Sequence, residues 1–171
     1  MAKGDVINFI GADDYYFSKD TLLNVFNGFN SNSNIDAVYG DIKYFGNSRY
    51  KRQWIVGKYE KNSFLEGFQI PFPSFFFKKK LIDFYGNIDE KIDISDDFDL
   101  IFRFVHVKKI NIYYINKFLV NFYSNGRSSF FLSRLKTIKE IYMIFKKYNL
   151  KINFIKYLFK RYLNKLNQII F

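Results

Sequence analysis

Val6-Ile7-Asn8-Phe9-Ile10 runs straight into Gly11-Ala12-Asp13-Asp14, a β-rich apolar run that ends in a glycine and two carboxylates. It reads as a buried strand leaving a sheet. Ser18 or Asp20 can then cap a helix carrying Leu22, Leu23, Val25 and Phe26, which the Asn/Ser-rich run 30–34 ends. A second strand is predicted over 36–44, with Ala37, Tyr39 and Ile42 among its apolar members. Strand, helix and strand in that order give an α/β fold.

Further along, residues 46–63 are polar and read as an irregular connection, and Pro71 and Pro73 bar a long helix before the short apolar run 74–77. Residues 79–85 suit one or two helical turns stopped by Gly86, 98–106 have helical spacing, and 110–122 favours strand. The tail has the clearest period. Leu135, Ile138, Tyr142 and Phe145 recur at steps of three and four, and the sequence Tyr148-Asn149-Leu150 interrupts them. Beyond it Phe154, Ile155, Leu158, Phe159, Tyr162, Leu163 and Leu166 form an apolar stripe, with Lys151, Lys156, Lys160, Arg161 and Lys165 largely opposite. Two readings fit. One is a packed helix pair with a solvated basic face. The other is adsorption to an anionic membrane surface, where each nearby Lys or Arg contributes about 1 kcal/mol.

The 171 residues carry a formal charge of +11, and that charge is uneven. Residues 133–171 hold ten basic side chains against Glu140 alone, whereas the stretch 83–99 sets seven carboxylates against Lys91. The chain therefore divides into a portion of low net charge, 1–130, and a basic amphipathic helical tail, 131–171. Half the residues are hydrophobic, which excludes disorder as the main state. There is no cysteine, so a disulfide scaffold, a thiolate zinc site and a cysteine nucleophile are excluded together. The start lacks signal-peptide character, and no apolar run is long enough to cross a membrane. These features suit a cytoplasmic protein, peripheral on the inner face of the membrane through its tail. Nucleic acid is a poor partner, because nearly all the net charge lies on that one amphipathic tail. His106 stands alone and cannot build a multi-histidine metal site.

The carboxylates carry the chemistry. Asp13 and Asp14 would emerge at a strand's C-terminal edge, where open α/β sheets place ligands, and hard oxygens there suit Mg²⁺ or Mn²⁺ on phosphate. A turn or a helix cap would use the same residues. Asp96 and Asp97 open the predicted helix at 98, whose dipole favours their ionised forms. Asp97 is the better candidate for a general base, since Phe98 and Leu100 should pack inward beside it.

Taken in order, "AKGDVINFIGADD", "DAVYGDI", "IPFPSFFFKKKLIDFYGNIDEK", "ISDDFDLIFRF" and "YSNGRSS" resemble the later part of the glycosyltransferase family 2 catalytic domain, a GT-A type found in bacterial polysaccharide assembly. The resemblance covers roughly residues 2–129. It implies a partial GT-A-like mixed sheet with flanking helices, and transfer of a sugar with inversion from a nucleotide-diphosphate sugar to a saccharide or lipid-linked acceptor, of capsule or lipopolysaccharide type. Carried over by motif, Asp14 would hold the metal on the donor diphosphate, with Asp13 assisting at the metal or ribose. Asp97 would be the catalytic base, supported by Asp96 and Arg103. Phe72, Ser74, Gly126 and Ser128 would lie on the acceptor side, Phe72 and Arg127 being departures from the family's usual His and Gly. The family also carries a half-domain before the metal motif that holds the nucleotide base. The chain is therefore expected to need a missing N-terminal half or a partner chain. The alternative is a non-catalytic remnant that binds a membrane or a partner protein.

Overall fold

The computed structural model describes residues 3–46, 51–123 and 131–170. Strand β3 (Ala37–Phe45) is its spine, and every residue from Ala37 to Ile42 is buried. A strand covered on both faces loses simple alternation, which explains why its sequence signal is imperfect. One edge of β3 pairs in parallel with β6 (Ile112–Tyr123), from Ala37 opposite Ile112 to Phe45 opposite Tyr123, with a register irregularity around Asp41. The other edge is shared. Its first half pairs antiparallel with β5 (Phe75–Lys78) and its second half with β4 (Lys51–Trp54). Short strands close the margins: β1 (Val6–Ile7) beyond β5, β2 (Tyr15–Tyr16) beyond β6, and β7 (Ile169–Ile170) beyond β4. The result is a mixed α/β architecture.

The expected buried strand from Val6 is corrected to two residues, and Val6, Phe9 and Ile10 are exposed. Its physical cause is position, since β1 lies at the sheet edge with neighbours on one side only among the described residues. The polar segment after Gly46 contains β4, which Lys51-Arg52-Gln53-Trp54 does not announce by alternation. Helix α1 (Thr21–Asn30) covers one face of the sheet, and Val25 packs there with Val38, Ile42, Phe76, Ile115, Leu119 and Val120. Its inward residues are Thr21, Val25 and Gly28, at steps of four and three, so Leu22, Leu23 and Phe26 face out. Phe26 is 61% exposed.

The opposite face carries the larger core. Helices α2 (Lys80–Tyr85) and α3 (Asp96–Phe102), a π-helical turn over Arg103–Val107, α4 (Phe131–Lys147) and α5 (Phe154–Leu166) stack there. Tyr39, Phe64, Phe75, Phe77, Leu100, Phe102, Phe104, Ile141, Phe145 and Tyr157 belong to one buried cluster. Each such side chain contributes about 1.5–3 kcal/mol when removed from water. The residues Ile141, Ile144 and Phe145 thus tie α4 to the same core as the sheet.

Polar contacts fix α4 and α5. The Glu140 carboxylate accepts the backbone N–H groups of Asp93, Ile94 and Ser95, at 3.3, 3.1 and 2.8 Å. Lys147 Nζ donates to Asp89 at 2.9 Å and to both oxygens of fully buried Asp99, whose Oδ1 also accepts from Tyr148 Oη at 3.0 Å. Asn153 caps α5 through the Lys156 N–H. Only Tyr157 of α5 is fully covered, while Ile155, Phe159 and Tyr162 are 81%, 62% and 61% exposed. Among the described residues no helix is long and apolar enough to cross a membrane.

Candidate active site

Asp14 lies in the turn between β1 and β2, half-buried, with Asp13 exposed beside it. Its Oδ1 accepts the Tyr123 N–H at the end of β6 (2.8 Å), and its Oδ2 accepts the Gly11 N–H (3.3 Å). A Cβ at position 11 would stand 2.8 Å from that Oδ2, so glycine there lets the carboxylate fold back. Since Tyr123 is the register partner of Phe45, Asp14 sits at the C-terminal edge of the parallel pair β3–β6. That edge is where open α/β sheets hold ligands.

Contacts run from this edge towards α3. The Arg52 guanidinium lies 4.1 Å over the Tyr44 ring and donates to Gln168 Oε1, just past α5. Arg161, one turn before Lys165 on α5, donates to Tyr157 Oη at 3.3 Å. Its backbone packs against Gly67, where φ is +85° and a Cβ would come within 2.5 Å of Arg161 N. The Arg161 charge in turn reaches Asp97.

Asp97 is half-buried in the first turn of α3. Its Oδ1 accepts the Phe98 N–H at 2.6 Å, and the Asp97 N–H donates to Asp96 Oδ1 at 2.9 Å. Burial, with the neighbouring Asp96 charge, pushes its pKa up to about 6, against the pull of the Phe98 N–H and Arg161. Such a carboxylate is ionised at neutral pH yet binds a proton more strongly than an ordinary Asp, which suits a general base.

The other expected residues fall elsewhere. Arg103 Nη2 donates to Asn87 O at 2.6 Å, so Arg103 braces the loop after α2, and five helical residues separate it from Asp97. Phe72 stacks on Phe9 at 5.1 Å. The fully buried Ser74 hydroxyl donates to Gly40 O at 2.7 Å, which ties its turn to β3. Gly126 and Ser128 lie outside the described residues. His106 stacks on Phe102 at 4.8 Å with Nδ1 3.3 Å from Tyr59 Oη, a packed position.

Among the described residues no three His, Asp or Glu side chains gather as a metal-ligand set. Asp13 and Asp14 nonetheless fit a Mg²⁺ or Mn²⁺ ion that draws its other ligands from substrate phosphate and water, since both present hard oxygens and each Asp14 oxygen keeps a further lone pair.

Sequence reasoning missed several residues. Glu140 was visible only as the lone acid of a basic tail. Asp41 is a second case: buried, it accepts the Val56 N–H and Tyr114 Oη, both at 2.8 Å, and burial raises its pKa. Arg52 and Arg161 gave no signal beyond their charge. No protein-family model matches the chain, and no curated protein matches it.

Proposed function

We propose that the chain is the acceptor-side part of an inverting glycosyltransferase, taking a sugar from a nucleotide-diphosphate donor to an acceptor hydroxyl in cell-surface polysaccharide synthesis. The observation that carries the reading is Asp97, a half-buried carboxylate at the start of α3 with its pKa near 6. The ordered motifs of the sequence add to it. Asp97 accepts the proton of the acceptor hydroxyl as that oxygen attacks the anomeric carbon and the bond to the departing diphosphate breaks. A single in-line displacement inverts the centre and needs no covalent nucleophile. Asp96 keeps Asp97 basic, and Arg103 acts through the loop at Asn87. A divalent ion held by Asp13 and Asp14 would offset the charge of the leaving diphosphate.

The edge of the sheet beside α1 supports the reading that a further half or partner chain docks there. A groove of about 930 Å³ runs between α1 and the β1–β5 edge of the sheet, with Tyr16, Val25, Phe29 and Phe76 on its apolar side and Asp5 and Lys80 on its charged side. Residues Ile155, Phe159 and Tyr162, exposed on a basic helix, support a cytoplasmic location against an anionic membrane surface. Titration of a nucleoside diphosphate with Mn²⁺ tests the donor side: Asp14→Asn should weaken metal-dependent binding at least about tenfold, the scale of one lost charge-assisted contact. Undiminished binding removes Asp14 from the site.

A further inference from the structure

Arg161 and Lys165 stand four residues apart on α5 and so share one face of the helix. Strand β4 brings a third cation to them. Arg52 sits opposite Ile169 in the β4–β7 ladder and donates to Gln168, three residues beyond Lys165. Its Nε is buried and has no acceptor among the described residues. Buried donors are satisfied in more than nine cases in ten, so an orphan of this kind marks a place where an acceptor belongs. Arg134, in the first turn of α4, lies within electrostatic reach of Lys165.

Arg161 is partly answered from within, by the Asp97 charge, the Tyr157 hydroxyl and the Gln69 amide oxygen, but the other cations are not. Each ion pair formed by α5 or by the end of α4 goes to another cation, Lys160 to Glu66 and Lys147 to Asp89 and Asp99. Among the described residues Arg52, Arg134 and Lys165 have no carboxylate within ion-pair distance. Partial burial, with the charges of Arg52, Arg161 and Arg134, lowers the Lys165 pKa. Like charges held together at a cost to stability are expected where they serve a ligand. An arginine fork, a second guanidinium and an ammonium suit a compact polyanion with several acceptor oxygens.

We infer that Arg52, Arg161 and Lys165, with Arg134 at the rim, form a binding site for a phosphoryl anion, either a phosphate monoester or a diphosphate. The site is separate from the Asp13–Asp14 turn and needs no metal; it shares Arg161 with the surroundings of Asp97, so its test uses Arg52 and Lys165 and reads anion binding rather than sugar transfer. Its anion can come from a free diphosphate or from a lipid headgroup.

Two arms distinguish these sources, both run in chelator and at low ionic strength. The first titrates inorganic pyrophosphate into the full chain by calorimetry. The second measures co-sedimentation with phosphatidylcholine vesicles carrying phosphatidic acid. Lys165→Gln and Arg52→Gln should each weaken the active arm at least about tenfold. Lys156→Gln, which removes the same charge from the same helix, should change it less than about twofold, and Arg52→Lys should recover part of the loss. Asp14→Asn should bind as the unaltered chain does. Saturable pyrophosphate binding identifies a soluble diphosphate, and a response confined to vesicles identifies a headgroup. Absence of both responses overturns the site, as does an equal loss in Lys156→Gln, which would mean diffuse charge.

Discussion

At the residue scale the proposed chemistry rests on Asp97. Its folded pKa of about 6 exceeds the ordinary value of 3.8. The folded chain therefore binds that proton more tightly than the unfolded one. The associated stability is fully present below pH 3.8 and is lost as pH rises through about 6. Asp97→Asn should flatten the pH dependence of the unfolding midpoint across that window, a change chemical denaturation at several pH values will show. Asp41 is the structural counterpart. Removing its carboxylate in Asp41→Ala strands the Val56 N–H and Tyr114 Oη, and should cost about 1–3 kcal/mol in the same assay. The sequence singled out Asp97 at a helix start and passed over Asp41, because their roles depend on what faces them. Asp97 meets a helix start and Arg161, whereas Asp41 meets a tyrosine hydroxyl and a loop amide from distant segments.

At the element scale α4 is fastened at both ends of its buried face. Glu140 gathers three amides ahead of α3, and Lys147 neutralises Asp99 inside the core. Glu140→Ala should lower stability by about 1.5–3 kcal/mol. Lys147→Met should cost more, about 3–5 kcal/mol, because it leaves a buried charge unpaired, and Lys147→Met with Asp99→Leu should recover much of that. Equilibrium unfolding of the single and double variants checks the sign of the coupling. Helix α5 is fixed differently, by the close approach of Gly67 to Arg161. Gly67→Ala should destabilise by roughly 1–3 kcal/mol, since it combines a positive φ with a backbone clash. Helices α3, α4 and α5 were legible from apolar period, and β3 from its β-rich composition despite imperfect alternation. Three elements were not: β4 has no alternation, β1 is short because its outer side is open, and α1 turns Leu22, Leu23 and Phe26 outward. Its inward row is set by the small residues Thr21 and Gly28, which pattern reading ranks below leucine.

At the scale of the whole molecule the sheet separates two surfaces. The α1 side presents a groove of mixed apolar and charged lining beside β1, and the α5 side presents exposed Ile155, Phe159 and Tyr162 among lysines. Replacing these three α5 residues together by Ser, Gln and Gln should reduce sedimentation with phosphatidylglycerol vesicles severalfold while leaving the unfolding midpoint nearly unchanged, because Tyr157 alone carries the fully buried contact. The charge asymmetry was plain in the sequence, yet which apolar residues α5 buries was not, since the stripe is wide enough to face either way. The most direct measurement of the account is the pH profile of nucleoside diphosphate release from a panel of UDP-, GDP- and dTDP-sugars, with membrane acceptors and Mn²⁺, for the chain alone and together with the N-terminal half or partner chain proposed for it. The account predicts turnover that rises through pH 6 and levels off above it, and that falls at least about a hundredfold in Asp97→Asn on that plateau. Turnover of that variant equal to the unaltered chain would contradict it.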